Sequence, residues 1–184
     1  TYTGTKAQAP IGNSTTAFTG TFDGQGHTVS GIDLSGGSMT GFFGKVQGAT
    51  IRNLTVNGNV KGTAAAVGGL IGYGIVPLTI ENCVNRIHVS GKDRSAGFVG
   101  SVDLTKANSS LIVRNCKNYG EISSPAGVHI GGFFGRLYKT GNSPLEITDC
   151  ANYGNVSGRC MAGGLVGRYE SGKASTVGET VITG

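Results

Sequence analysis

Tryptophan is absent from this sequence and methionine occurs only twice, which argues against a deep aromatic ligand pocket. Lysine and arginine never form a run, so the formal net charge of +5 reflects a shortage of acids, 10 against 15 bases. Nucleic-acid binders concentrate their bases on one face or helix, and no nucleic-acid partner is expected here. No apolar stretch approaches the roughly 20 residues of a spanning helix, so the chain is read as not membrane-embedded. With 4 prolines and no glycine at every third position, collagen does not fit. No segment sustains a 3.6-residue apolar period, and helix is expected to be nearly absent. There is no Cys-x-x-Cys, no His-Glu-x-x-His and no pair of histidines to hold a metal. The three histidines are scattered, which leaves no nucleophile, base and orienting group to assemble. No catalytic, cofactor-binding or metal residue is therefore assigned, and the chain by itself is read as not an enzyme. It opens at Thr1 without a signal-peptide pattern, which is read as a mature or excised fragment of something longer.

Glycine is abundant, at 34 of 184 residues, and it recurs at fixed offsets. A phrase of one small residue, Gly, two apolar residues and Gly is written five times. Its copies are Thr40-Gly41-Phe42-Phe43-Gly44, Gly68-Gly69-Leu70-Ile71-Gly72, Ala96-Gly97-Phe98-Val99-Gly100, Gly131-Gly132-Phe133-Phe134-Gly135 and Gly163-Gly164-Leu165-Val166-Gly167. Spacing in this range marks a repeat architecture. A second phrase follows in each unit: Ile51-Arg52-Asn53-Leu54, Ile80-Glu81-Asn82-Cys83, Val113-Arg114-Asn115-Cys116 and Ile147-Thr148-Asp149-Cys150. A third follows that, as in Asn118-Tyr119-Gly120-Glu121-Ile122 and Asn152-Tyr153-Gly154-Asn155-Val156. Period-2 alternation and β-branched residues make each phrase a short strand.

Three strands per repeat and one repeat per turn describe an all-β fold, a single-stranded right-handed parallel β-helix (β-solenoid) of about five or six coils. One domain is expected over residues 1–184: a capping lead-in over 1–17, a first coil over 18–40, repeats over 41–168 and a C-terminal segment over 169–184 with a last partial coil. Within the first coil, strands Phe18–Phe22 and Thr28–Leu34 flank a turn at Asp23-Gly24. Glycines are expected to turn the corners and to let stacked chains approach. Insertions at Asp103–Ser110 and Tyr138–Ser143 explain the uneven period and are expected at one corner. Stacking at about 4.8 Å brings like positions into columns. Phe42, Leu70, Phe98, Phe133 and Leu165 form one inward column; Ile51, Ile80, Val113 and Ile147 form another; Leu54, Cys83, Cys116 and Cys150 form a third.

The phrases Gly-Gly-Phe-Phe-Gly-Arg, Asn-Cys-Lys-Asn-Tyr-Gly-Glu-Ile-Ser and Phe-Asp-Gly-Gln-Gly-His-Thr-Val-Ser-Gly resemble the GLUG-repeat family over residues 18–168. That resemblance implies a secreted or surface-displayed bacterial β-helix. Such repeats occur in adhesin-like proteins and in non-catalytic regions of immunoglobulin A1-type metallopeptidases, and they bring no catalytic residues with them.

Several columns carry chemistry that could be functional or structural. Cys83, Cys116 and Cys150 are expected as reduced, inward, stacked thiols, because a disulfide needs its Cβ atoms closer, about 3.8 Å apart. Asn85, Asn118 and Asn152 are expected to hydrogen-bond along the stack. Arg52, Glu81 and Arg114 alternate in sign and should pair at the surface. Asp23 resembles the acid of pectin-degrading β-helices but has no visible carboxylate partner, so it is read as a turn residue. Residues 167–174 nearly spell a phosphate-binding loop but lack its hydroxyl. Tyr119 and Tyr153 should point outward, while Arg136 and Arg168, with Lys45, form an interrupted basic stripe suited to an acidic polysaccharide. Tyr119, Tyr153, Arg136 and Arg168 are the candidate binding surface. The function expected is a monomeric, extracellular or cell-surface adhesion or structural module binding a host glycoprotein or polysaccharide. The alternatives are a spacer in a metallopeptidase of the family named above, or a polysaccharide-active enzyme.

Overall fold

The computed structural model describes residues 2–3, 9–140, 142–172 and 180–183. Among them there is no helix, and every strand pairing is parallel, from Tyr2–Thr3 against Val29–Ser30 to Leu145–Thr148 against Thr180–Thr183. The chain winds as a β-solenoid of about 5 turns. Register is kept from coil to coil. Phe22, Ile51, Ile80, Val113, Ile147 and Ile182 lie in one line, and Phe43, Ile71, Val99, Phe134 and Val166 in another. At the start, Ile11 bridges to Phe43 and its backbone bonds both Phe42 and Gly44, so the lead-in rests on the first glycine phrase. Residues 4–8 and 173–179 lie outside the described residues, as does the end of the near phosphate-loop sequence.

Both apolar residues of each glycine phrase are used, where a single inward column was expected. Leu70, Phe98 and Phe133 are buried together with Ile71, Val99 and Phe134. Phe42 and Leu165, at the two ends of the column, are only partly covered. Phe98 and Phe133 stack with ring centroids 4.5 Å apart. Each fully buried side chain of this size contributes about 1.5–3 kcal/mol. Cys83 and Cys116 are buried free thiols, Cys150 is half-buried and Cys160 is exposed. Each of the three stacked sulfurs hydrogen-bonds a backbone carbonyl of the preceding coil, as Cys116 does to Ile80 O. Its place between the Cys150 and Cys83 sulfurs, and its burial, push the Cys116 thiol up, which keeps it protonated and inert.

Corners depart from expectation. Two lines of corners are turned by residues other than glycine. One comprises Asn53, Asn82, Asn115 and Asp149, with φ between 48° and 54°. The other comprises Met39, Ala66, Arg94, His129 and Met161, with φ between 51° and 64°. Asn and Asp tolerate this left-handed region because their short polar side chains bond locally. At these corners the amides form an outer ladder: Asn115 donates to Asn82 at 2.8 Å, Asn82 to Asn53 at 3.2 Å and Asn53 to Asp23 at 3.0 Å. At the turn expected at Asp23-Gly24 the left-handed residues are Gln25 and Gly26, not Gly24. Since pairing resumes on both sides of each bend, Phe18–Gly36 and Phe43–Gly62 are continuous strands of 19 and 20 residues, not pairs of short ones. The insertions also begin later than expected. Asp103, Leu104, Tyr138 and Lys139 belong to strands in mutual register, and the loops that follow stack at one corner, with Thr140 N bonded to Leu104 O and Ser143 Oγ to Lys106 O.

The glycines are needed mainly for proximity. A Cβ on Gly97 would lie 2.4 Å from Asn118 Oδ1 and 2.5 Å from Gly132 O; one on Gly132 would lie 2.0 Å from Gly164 O and 2.5 Å from Asn152 Cγ. The glycine at the second position of the three middle phrases, Gly69, Gly97 and Gly132, therefore leaves space for an inner amide ladder. Along it Asn85 donates to Asn118 and Asn118 to Asn152, each at 2.7 Å. Asn118 and Asn152 also donate to the carbonyls of Gly120 and Gly154 at 2.9 Å. Asn85 and Asn118 have no exposed surface. A buried amide is tolerated only when its hydrogen bonds are made.

The two ladders should respond differently to loss of one rung. Asn118→Ala strands a buried donor on Asn85 and a half-buried acceptor on Asn152, and is expected to cost about 3 kcal/mol. Asn115→Gly keeps the left-handed corner and removes only an exposed rung, at a cost of about 1 kcal/mol or less. Urea denaturation of the two variants measures the difference.

Candidate binding face

Alternation in the third strand of each coil sorts residues by face. Over Val84–Ser90, Asn85, Ile87 and Val89 are buried, whereas Arg86, His88 and Ser90 are exposed. Coils in register turn this into a grid on the outside. One line along the solenoid axis carries Asn57, Arg86, Tyr119 and Tyr153. The next carries Asp33, Asn59, His88, Glu121 and Asn155, and a third carries Ser35, Lys61, Ser90, Ser123 and Ser157. A shallow groove of about 330 Å³ runs across the second and third lines, above the buried Val60 and Val89.

Tyr119 and Tyr153 lie in adjacent coils as expected, with ring centroids 4.9 Å apart and planes 15° from parallel. The guanidinium of Arg86 sits 4.5 Å from the Tyr119 centroid on the neighbouring coil. Tyr119 is thus flanked by a cation and a second ring in its own column, and its face is not free to stack on a sugar. Tyr153 is 62% exposed against 40% for Tyr119 and offers the more open aromatic surface. A cation over a ring contributes about 0.5–1 kcal/mol at an exposed site.

Arg136 and Arg168 are in register with each other, in a strand line separate from the tyrosines. Neither is a free cation. Arg136 pairs with Glu170 at 3.0 Å and Asp103 at 3.6 Å, and lies over the Tyr138 ring at 4.6 Å. Arg168 pairs with Glu170 at 3.5 Å and reaches His129 Nε2 at 3.0 Å. Because Arg168 donates to Nε2, His129 carries its proton on Nδ1 and bonds Asp93 at 3.1 Å. Lys45 bonds the Ser14 carbonyl at 3.4 Å, and Ser101, between Tyr73 and Arg136 in the same line, is buried. The stripe's arginines are accordingly spent on ion pairs within and between coils. Arg136 holds the Glu170 carboxyl below its ordinary value, with Arg168 adding to the effect.

The column of alternating charge is similar and starts one coil earlier than expected. Asp23 accepts from Gln25 N at 2.9 Å, Arg52 at 3.0 Å and Asn53 at 3.0 Å, and those bonds hold its carboxyl low. Arg114 pairs with Glu146 at 2.6 Å and Glu81 at 3.5 Å. The acids therefore fall into two groups. Asp23, Glu81, Asp93, Asp103, Glu146 and Glu170 are paired, whereas among the described acids Asp33, Glu121 and Asp149 make no ion pair or side-chain hydrogen bond. Asp33 and Glu121 line the groove, together with Asn59, Lys61 and His88, whose side chains make no hydrogen bond or ion pair with any described residue. Sequence reasoning missed these five. Their outward phase was legible in the alternation, but their lack of internal partners was not. Among the described residues no group of three or more His, Cys, Asp or Glu could hold a metal ion, and no helix is long and apolar enough to cross a membrane.

Tyr73 gives this region a pH signature. Its hydroxyl donates to Asp103, and burial, reinforced by that carboxylate, pushes its pKa from 10.0 up to about 12. The folded state thus holds the proton more tightly than the unfolded state. Its contribution is full below about 10 and is lost as pH rises from about 10 to 12. Denaturation midpoints across this range should fall for the native chain, and Tyr73→Phe should flatten that part of the fall.

Comparison with known proteins gives one informative likeness. The chain is 39% identical over 102 residues to halomucin of Haloquadratum walsbyi, an alignment covering 50% of this chain and 1% of that protein. The chain thus spans only about 1% of the length of that relative. No family model matches, and no solved structure matches.

Proposed function

We propose that the chain is a non-catalytic structural module of a surface or secreted polypeptide, a stiff solenoid that works by spacing or adhesion. The observation that carries this reading is the use of the ionisable groups. Six carboxylates across the coils are tied to arginines or histidine in register, where they hold the stack together and are not poised for proton transfer. The likeness to 1% of a much longer protein supports a module built into a larger chain, and the repeated glycine phrases support placement among GLUG-repeat proteins. Asp23, the acid in the sequence context closest to that of a β-helix enzyme, has its oxygens bonded to Gln25, Arg52 and Asn53.

Incubation of the purified chain with neutral and acidic polysaccharides, followed by assays for new reducing ends and unsaturated products, tests the proposal. No turnover is expected. Product formation that disappears in Asp23→Ala would overturn it.

A further inference from the structure

We infer that the outer groove is a binding site for a neutral polysaccharide lying along the solenoid axis. Two independent features carry this: register and unspent bonding capacity. Asp33, Asn59, His88 and Glu121 follow one another at one-coil intervals of about 4.8 Å, with Lys61 in the line alongside. An elongated ligand thus meets a polar group at each coil. None of these side chains is bonded to another described residue, although six other acids are paired. A carboxylate accepts two O–H donors from adjacent hydroxyls, while Lys61 and Asn59 donate to ring and hydroxyl oxygens.

Charge selects the ligand class. Two carboxylates, Asp33 and Glu121, bracket the groove around one ammonium, Lys61, which disfavours a polyanion and gives a polycation little to gain. The arginines that would have attracted an acidic glycan, Arg136 and Arg168, are neutralised by Glu170 and Asp103. A neutral polyol uses both the acceptors and the donors. Tyr153, the more open ring on the same outer face, extends the platform by one coil. This inference rests on the non-catalytic reading only in expecting the ligand to be bound and left intact.

The test is binding of the whole chain to an array of neutral oligosaccharides, with polygalacturonate and heparin as acidic comparators. At least one neutral glycan should bind with Kd below about 1 mM. The double variant Asp33→Asn/Glu121→Gln, whose altered groups hold nothing internally, should fold normally by circular dichroism and lose about tenfold or more in affinity. Periodate cleavage of the glycan's adjacent hydroxyls should abolish binding. Absence of neutral binding, preferential binding of an acidic glycan that weakens with Lys61→Ala, or full affinity in the double variant each overturns the site. Conversion of the bound glycan to products would instead overturn the non-catalytic reading and leave the groove as its binding site.

Discussion

Everything in this solenoid depends on two columns that share one space. The Asn85–Asn118–Asn152 ladder runs along the interior, and the glycine at the second position of the three middle phrases, Gly69, Gly97 and Gly132, gives up its side chain so that the ladder fits. The two conditions are reciprocal. A methyl group at Gly97 would meet the Asn118 amide, and an amide with no neighbour above or below it would be a buried polar group without a partner. Hydrogen bonds in such a chain polarise one another and are strong in a dry interior, but only while every rung is filled. Glycine at these three positions is consequently a packing requirement of the core.

Outside the core, the same coil-to-coil register divides the polar residues by task. Where opposite charges fall in one line or in neighbouring lines, as with Asp23 and Arg52 or Asp103, Arg136 and Glu170, they satisfy one another and tie the coils together. Individually such exposed pairs contribute little, about 0–1 kcal/mol, but their geometry uses up the groups concerned. Where the lines mix amide, hydroxyl, imidazole and carboxylate without opposing partners, the bonding capacity faces solvent. The outer face above Val60 and Val89 is that region, and surface chemistry thus follows from which residue types the repeat places one coil apart.

Much of the fold was legible in the sequence because a solenoid converts sequence period directly into spatial neighbourhood. The isoleucine and valine column from Ile51 to Ile147, the buried thiols and the inner asparagines all follow from aligning the phrases. Corners were less legible. Asn53, Asn82 and Asn115 carry a signal, since asparagine is tolerated in the left-handed region, but Met39, Ala66, Arg94, His129 and Met161 share a conformation and no chemistry. Their geometry is imposed by the strands on either side. The candidate binding surface was half legible: alternation shows that Tyr119 and Tyr153 face out, but not that Arg86 and Tyr153 flank the Tyr119 ring. The reassignment of Arg136 and Arg168 depends on Asp103 and Glu170 falling beside them, which the unequal insertions concealed until the strand ends at Leu104 and Lys139 were placed.

If the inner ladder binds the coils into one unit, its amide protons should be among the last to reach solvent. Hydrogen exchange of the asparagine Nδ2 protons, followed by NMR, reads this directly. The expected result is that Asn85 and Asn118 exchange only with global unfolding, whereas Asn82 and Asn115, on the exposed outer ladder, exchange quickly. Equal and rapid exchange in both ladders would contradict the central role of the buried one.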